Sequence, residues 1–313
     1  MKRISIIFLF FSLFVFSQHS KPELLEKINT ITKGKKATVA VSVLGIENDF
    51  QFSNANGNLK MPMLSVFKFH IALAVLNQVD KGNLTLDQKI LIKKSDLLEN
   101  TWSPLREKYP DGNVELPLSE IITYTVAQSD NNGCDILLRL IGGTKTVQKL
   151  MDVNGIKNFQ IKYNEEEMHK NDVKTLYANY TTTASMVKTL KAFYKGMFLS
   201  KRSTIFLMDI MTKTNTGMSK LPGLLPKVRM ARKTGSSGKM KNGLTIAEND
   251  SGIVTLANGK HYAIAVFVKD SMESEEVNCG MIAQVSKIVW DALNKKINPN
   301  NKTERFVNSL IKK

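Results

Sequence analysis

The chain has 313 residues, with 44 Lys and Arg against 28 Asp and Glu, a net charge of +16. A content of 42% hydrophobic and 23% charged residues is that of a globular chain with a full core and excludes a disordered one. The basic residues are spread along the chain, without zinc-finger spacing, an RRM signature or a basic-region heptad, so nucleic acid is not the expected partner. A positive surface that attracts an anionic small molecule is the better use of the charge.

In chain order, Lys2 and Arg3 precede an apolar run from Ile4 to Phe16, followed by Ser17, Gln18 and Ser20. This pattern predicts a signal peptide over residues 1–18 and export to the periplasm or the medium; a retained anchor is the alternative. The run is shorter than the ~20 residues of a comfortable transmembrane helix, and nothing apolar enough follows it, so no membrane association is expected after cleavage. Leu24, Leu25, Ile28 and Ile31 mark a first helix, and the alternating segment from Thr38 to Leu44 marks a strand that returns near Ser53. From Pro62 the period becomes helical and recurs in five further segments up to Lys213. Strands come back after Gly217, in VRMARKTG and in two runs joined at Asn258-Gly259, and a helix from Glu276 to Leu293 closes the domain.

Two strands early and three late combine most simply into one antiparallel sheet, which gives an α/β (α+β) fold with the helical block beside it. The expected organisation is one domain over residues 19–297, with an α/β part from 19–60 and 215–297 and an all-helical subdomain over 61–214. Residues 298–313 read as a basic tail. Cys134 lies in an apolar run and Cys279 stands alone, so two free thiols are expected. The four histidines lack HxxxH or HExxH spacing; no metal or cofactor is expected.

Ser65-Val66-Phe67-Lys68 is an S-x-x-K at the start of a helix, where one turn brings an ammonium beside a hydroxyl. The same spacing recurs at Ser185, Ser236 and Ser309, so the motif alone selects nothing. Ser65 is singled out because Ser129-Asp130-Asn131 and Lys233-Thr234-Gly235 follow it once each, in the order of class A β-lactamases and penicillin-binding proteins. The first triplet also reads as the N-cap of the next helix, and the second as a plain strand end.

With these motifs, and the passages SVFKFHIALAVL, TWSPL, YTVAQSDNNGCDILLRLIGGT, NEEEMHK and KTGSSG, the chain resembles the class A serine β-lactamases, most closely their VEB-type and PER-type extended-spectrum branch. The resemblance implies the serine β-lactamase/D,D-peptidase-like fold, a five-stranded antiparallel sheet with flanking helices, acting as a monomer on small β-lactams. It implies Ser65 as nucleophile, Lys68 and Ser129 as proton carriers, and Glu165 as the deacylation base, with Glu166 the one-residue alternative. Asn131, Lys233, Thr234, Gly235 and Ser236 would bind substrate, with Ser65 and Ser236 N–H groups as oxyanion hole. Trp102 and His169 would line the cleft, and Lys220 would assist with the substrate carboxylate, Arg232 compensating for its lack of a planar fork. Tyr163 replaces the usual Arg before the base, and Asp135 the usual Asn, which implies a differently held loop suited to bulky cephalosporins. The alternatives are a D,D-peptidase and an acylated sensor; Glu165 argues against both.

Overall fold

The computed structural model describes residues 20–170 and 172–295, so the expected signal peptide and the whole of the expected tail lie outside the described residues. Helix α1 (Ser20–Thr32) leads into β1 (Thr38–Gly45) and the short return strand β2 (Gln51–Ser53). After β3 (Met61–Pro62), a 3₁₀ turn at Leu64–Val66 opens α2 (Phe67–Asp80). There follow β4 (Lys89–Ile92), α3 (Pro104–Lys108), β5 (Val114–Pro117), α4 (Leu118–Ala127), α5 (Asn131–Leu140) and α6 (Thr144–Val153). Next come β6 (Phe159–Gln160), α7 (Glu165–Lys170), β7 (Tyr180–Thr181), α8 (Thr183–Tyr194) and α9 (Lys201–Thr212). Strands β8 (Met230–Ser236), β9 (Thr245–Thr255) and β10 (His261–Ser271) precede the closing helix α10 (Glu275–Lys295).

The main sheet has the order β2-β1-β10-β9-β8, every pair antiparallel. The β9–β10 turn carries Gly259 at φ +79°, where the left-handed backbone suits a residue without Cβ. Val39, Val41 and Val43 on one face pack with Val266 and Val268 against α1 and α10, through Leu24, Ile28, Ile282 and Val289. Ala40, Ala263, Ala265 and Phe267 face the other way, into the core of the helical block. The period-two alternation thus feeds two cores, with the sheet as the middle layer.

The block expected to be all helical also holds two small sheets, β3-β7-β6 and β4-β5. The three strands of the first are two residues long and those of the second four, too short to print a period on the sequence. Cys134 and Cys279 are both buried, free thiols.

Candidate active site

Ser65 sits on the 3₁₀ turn that starts α2, behind Leu64, which is held at φ +45°. Such a conformation costs a non-glycine residue about 1–3 kcal/mol and is retained only where the surroundings fix it. They do: the Met63 N–H donates to Asn179 O at 2.8 Å, and Asn249 Nδ2 donates to the carbonyls of Pro62 and Met63 at 2.8 and 3.2 Å. One turn on, the fully buried Lys68 donates to Ser65 Oγ at 3.1 Å, to Ser129 O at 2.7 Å, and to Asn131 Oδ1. An ammonium has three N–H bonds, and these acceptors use them all. Glu165 Oε1 lies 2.9 Å from the same nitrogen and is held by charge, not by an aligned hydrogen bond. Its carboxylate therefore keeps acceptor capacity for another proton donor.

The Ser-Asp-Asn triplet divides its work. Asp130 is the N-cap of α5, accepting from the Gly133 N–H at 2.7 Å, and it also takes the Leu105 N–H at 2.7 Å and the Ser103 hydroxyl. Its neighbours face the other way. Ser129, at φ +61°, presents its Oγ to Lys233 Nζ at 2.8 Å, and Asn131 donates to Thr101 Oγ1 at 2.6 Å. The N-cap reading of this motif thus describes Asp130, while Ser129 and Asn131 are turned toward Lys233 and Lys68. Lys233 is fully buried; burial, with the charges of Lys68 and Lys220 behind it, holds its ammonium well below the ordinary lysine range.

Strand β8 is an edge strand, and Gly235 brings it against the turn that carries Ser65: a Cβ there would stand 3.1 Å from Ser65 N. Because Ser237 N bonds to Ala247 O on β9, the alternation of an antiparallel ladder turns the Ser236 N–H away from β9, to the open edge of β8. Thr234 Oγ1 is 2.6 Å from Thr216 Oγ1. The Ser236 hydroxyl, however, donates to Glu248 Oε2 at 2.9 Å, and Glu248 is in turn ion-paired with Lys220. Lys220 is buried and also donates to Asn249 O at 3.2 Å, so it lies behind the strand. Arg232 is buried against Asp250 at 3.0 Å and does not stand in for it.

The Glu165 segment, expected as a loop, is the one-and-a-half-turn helix α7. Asn164 and Glu167 form a reciprocal cap, Asn164 Oδ1 taking the Glu167 N–H at 2.8 Å and Glu167 Oε2 the Asn164 N–H at 2.9 Å. Asp135 accepts the N–H groups of Glu165 and Glu166 at 2.8 and 2.9 Å. In place of an arginine pin, Asn179 Oδ1 accepts from Lys162 N and Tyr163 N at 2.7 and 3.0 Å, and its Nδ2 donates to Tyr163 O at 2.7 Å. The exposed His169 lies with Nδ1 2.8 Å from Glu165 O, and Trp102 donates its indole N–H to Gln128 O at 2.9 Å.

Sequence reasoning missed Asn179, Thr216, Glu248 and Asn249. Only the run Glu248-Asn249-Asp250-Ser251 left a signal, four consecutive polar residues between apolar stretches of one strand, where burial demands partners.

A serine on a strained turn, a buried lysine beside it and a buried carboxylate define an active-serine acyl-transfer enzyme. The chain belongs to the beta-lactamase enzyme family, whose profile matches residues 23–293, and within it to class A. It is 45% identical to beta-lactamase VEB-1 of Pseudomonas aeruginosa, over 93% of this chain and 97% of that protein. It is 40% identical to the extended-spectrum beta-lactamase PER-1 of the same organism, over 92% of each. The crystal structure of the TLA-1 extended-spectrum beta-lactamase superposes with a TM-score of 0.86 at 51% identity, covering 88% of this chain and 100% of that one. The protein is a β-lactam hydrolase.

Proposed function

We propose that Ser65, Lys68, Ser129 and Glu165 carry a two-step hydrolysis. Ser65 Oγ adds to the β-lactam carbonyl as its proton leaves toward the Lys68–Glu165 pair. The carbonyl oxygen takes up negative charge between the N–H groups of Ser65 and Ser236. The ring C–N bond then breaks, and the departing nitrogen receives the Ser129 proton. The proton taken from Ser65 passes by way of Lys68 to Ser129, which leaves Glu165 a carboxylate for the second step and Lys233 an ammonium throughout. Water adds to the resulting ester after giving its proton to Glu165, and Ser65 leaves with a proton restored. The observation that carries this reading is the position of Lys68 Nζ, 3.1 Å from Ser65 Oγ and 2.9 Å from Glu165 Oε1.

Substrate recognition follows from the edge of β8. Lys233 and Thr234, with Ser236 beside them, hold the substrate carboxylate, and Gly235 lets the substrate approach the strand backbone closely. The Asn131 amide meets the substrate's side-chain amide, and Trp102 and His169 form the lip of the cleft. Lys220 acts indirectly, by holding Glu248 and through it Ser236. Oxyimino-cephalosporins are proposed substrates beside penicillins, since the named relatives include extended-spectrum enzymes and α7 is held without an arginine pin. Residues 1–18 as an export signal, a single domain over 19–297, a dispensable tail at 298–313, and a monomer in the periplasm or the medium complete the proposal.

The experiment is intact-mass spectrometry with a chromogenic cephalosporin. Wild-type protein turns over many equivalents, Ser65→Ala forms no adduct, and Glu165→Gln accumulates one covalent acyl group. An adduct on Ser65→Ala, or unimpaired turnover by Glu165→Gln, overturns the assignment. A single stoichiometric burst by the wild type would instead mark an acylated sensor.

A further inference from the structure

Away from the cleft, a cavity of about 520 Å³ opens between α9, the end of α8 and the sheet. That volume lies within the range of small-molecule sites. Its base is apolar: Leu199, Ala231 and Ile253 are buried there, and Met208 and Ile205 come down from one face of α9. Ile205, which lines the cavity, is left 59% exposed, so the apolar surface reaches out to the mouth. The rim is cationic. Lys195, Lys201 and Arg229 all line the cavity and are exposed, and none of their side chains has a hydrogen-bond or ion-pair partner among the described residues. Two carboxylates bound to lining or adjacent residues are committed elsewhere, Glu47 to the lining His261 at 2.7 Å and Asp80 to the hydroxyls of Ser200 and Ser203. In the same wall, the buried Thr204 hydroxyl has no partner.

An apolar base under unpaired cations does not suit a sugar, a metal or a neutral hydrocarbon. We infer that this cavity binds a small amphiphilic anion, a carboxylate, sulfonate or phosphate on an unbranched apolar body, with the head among Lys195, Lys201 and Arg229 and the body against Leu199, Ala231 and Ile253. The site is separate from the hydrolytic one, although its floor residue Ala231 lies two positions before Lys233 on β8 and on the same face of the strand.

The test is calorimetric titration of the intact protein with decanoate below its micelle concentration, with decanol as the neutral probe. Saturable binding of one decanoate, at least tenfold weaker in Lys201→Gln/Arg229→Gln, supports the site. So does its loss in Met208→Trp, which fills the cavity, provided circular dichroism shows the variant folded. A decanol affinity equal to that of decanoate overturns the anionic head group. Absence of saturation, or unchanged affinity in both variants, overturns the site. The same chemistry also occurs on membranes, so sedimentation with phosphatidylglycerol vesicles is the parallel arm. Vesicle binding without binding of monomeric decanoate would mean surface adsorption and would sink the proposal.

Discussion

Lys68 Nζ and Glu165 Oε1 stand 2.9 Å apart in the interior, with the three ammonium hydrogens turned to other acceptors. The two residues are therefore unequal when one is removed. In Glu165→Gln the ammonium keeps Ser65, Ser129 and Asn131, so the thermal midpoint is expected to stay close to wild type while deacylation stops. In Lys68→Met the Glu165 carboxylate is left buried without its counter-charge, and such a loss costs about 3–5 kcal/mol. Chemical denaturation of both variants checks the contrast. Equal destabilisation would mean that the pair is held in some other way.

Asn179 is expected to matter more than its distance from the reacting atoms suggests. Its side chain makes three hydrogen bonds to residues 162 and 163, and its carbonyl takes the Met63 N–H, so it ties the segment before Glu165 to the turn before Ser65. Asn179→Ala leaves two backbone N–H groups and one carbonyl without partners, at a cost of about 3 kcal/mol. Deacylation should slow more than acylation, which single-turnover kinetics separates. Equal slowing of both steps would show a general loss of structure.

Asp135 sets a pH dependence. Burial, aided by the Glu165 charge, raises its carboxyl to about 6. An unfolded Asp titrates near 3.9. Between roughly 3.9 and 6 the folded state thus holds the extra proton, and this group's contribution to stability falls as pH rises through that window. The effect on function has the opposite sign. Below pH about 6 the charge-assisted bonds to Glu165 N and Glu166 N weaken, and deacylation slows while the fold stays intact. Deacylation of preformed acyl-enzyme across pH 4.5–8 (a range chosen to bracket roughly the folded value and stay above the unfolded one) should show an acid limb that Asp135→Asn abolishes. A limb unchanged in Asp135→Asn would assign it to another group.

The long elements were legible because their periods are long: β1, β9, β10 and the major helices carry enough alternation or helical repeat to be seen. The three motifs were legible because their chemistry is compact, three or four residues each. What binds the motifs together was not. Asn179 and Asn249 act through side-chain bonds to backbone far away in sequence, and an isolated asparagine prints no pattern. Lys220 shows the converse limit: its type and place suggested a ligand for substrate, but only the fold reveals Glu248 beside it. The expected loop at Glu165 carried a helix signal in Asn164-x-x-Glu167, obscured because the helix has only six residues.

Gly235 tests whether the approach of β8 to the turn that carries Ser65 is as tight as the backbone implies. A Cβ there would meet Met63 O at 2.4 Å and the Ser65 and Val66 nitrogens at 3.1 Å. These are backbone atoms, and Met63 cannot yield freely because Asn179 holds its nitrogen and Asn249 its carbonyl. The strain must then open the gap between Ser65 and Ser236, whose N–H groups are the proposed oxyanion donors. Gly235→Ala is expected to destabilise the fold by about 2 kcal/mol, as overpacking does. A displacement near 1 Å at reacting groups costs about 10²-fold in rate, so kcat/KM should fall by that order, with acylation slowed most. Thermal unfolding and stopped-flow acylation measure the two effects. A Gly235→Ala enzyme with wild-type acylation would mean that the turn at Ser65 is softer than its hydrogen bonds suggest.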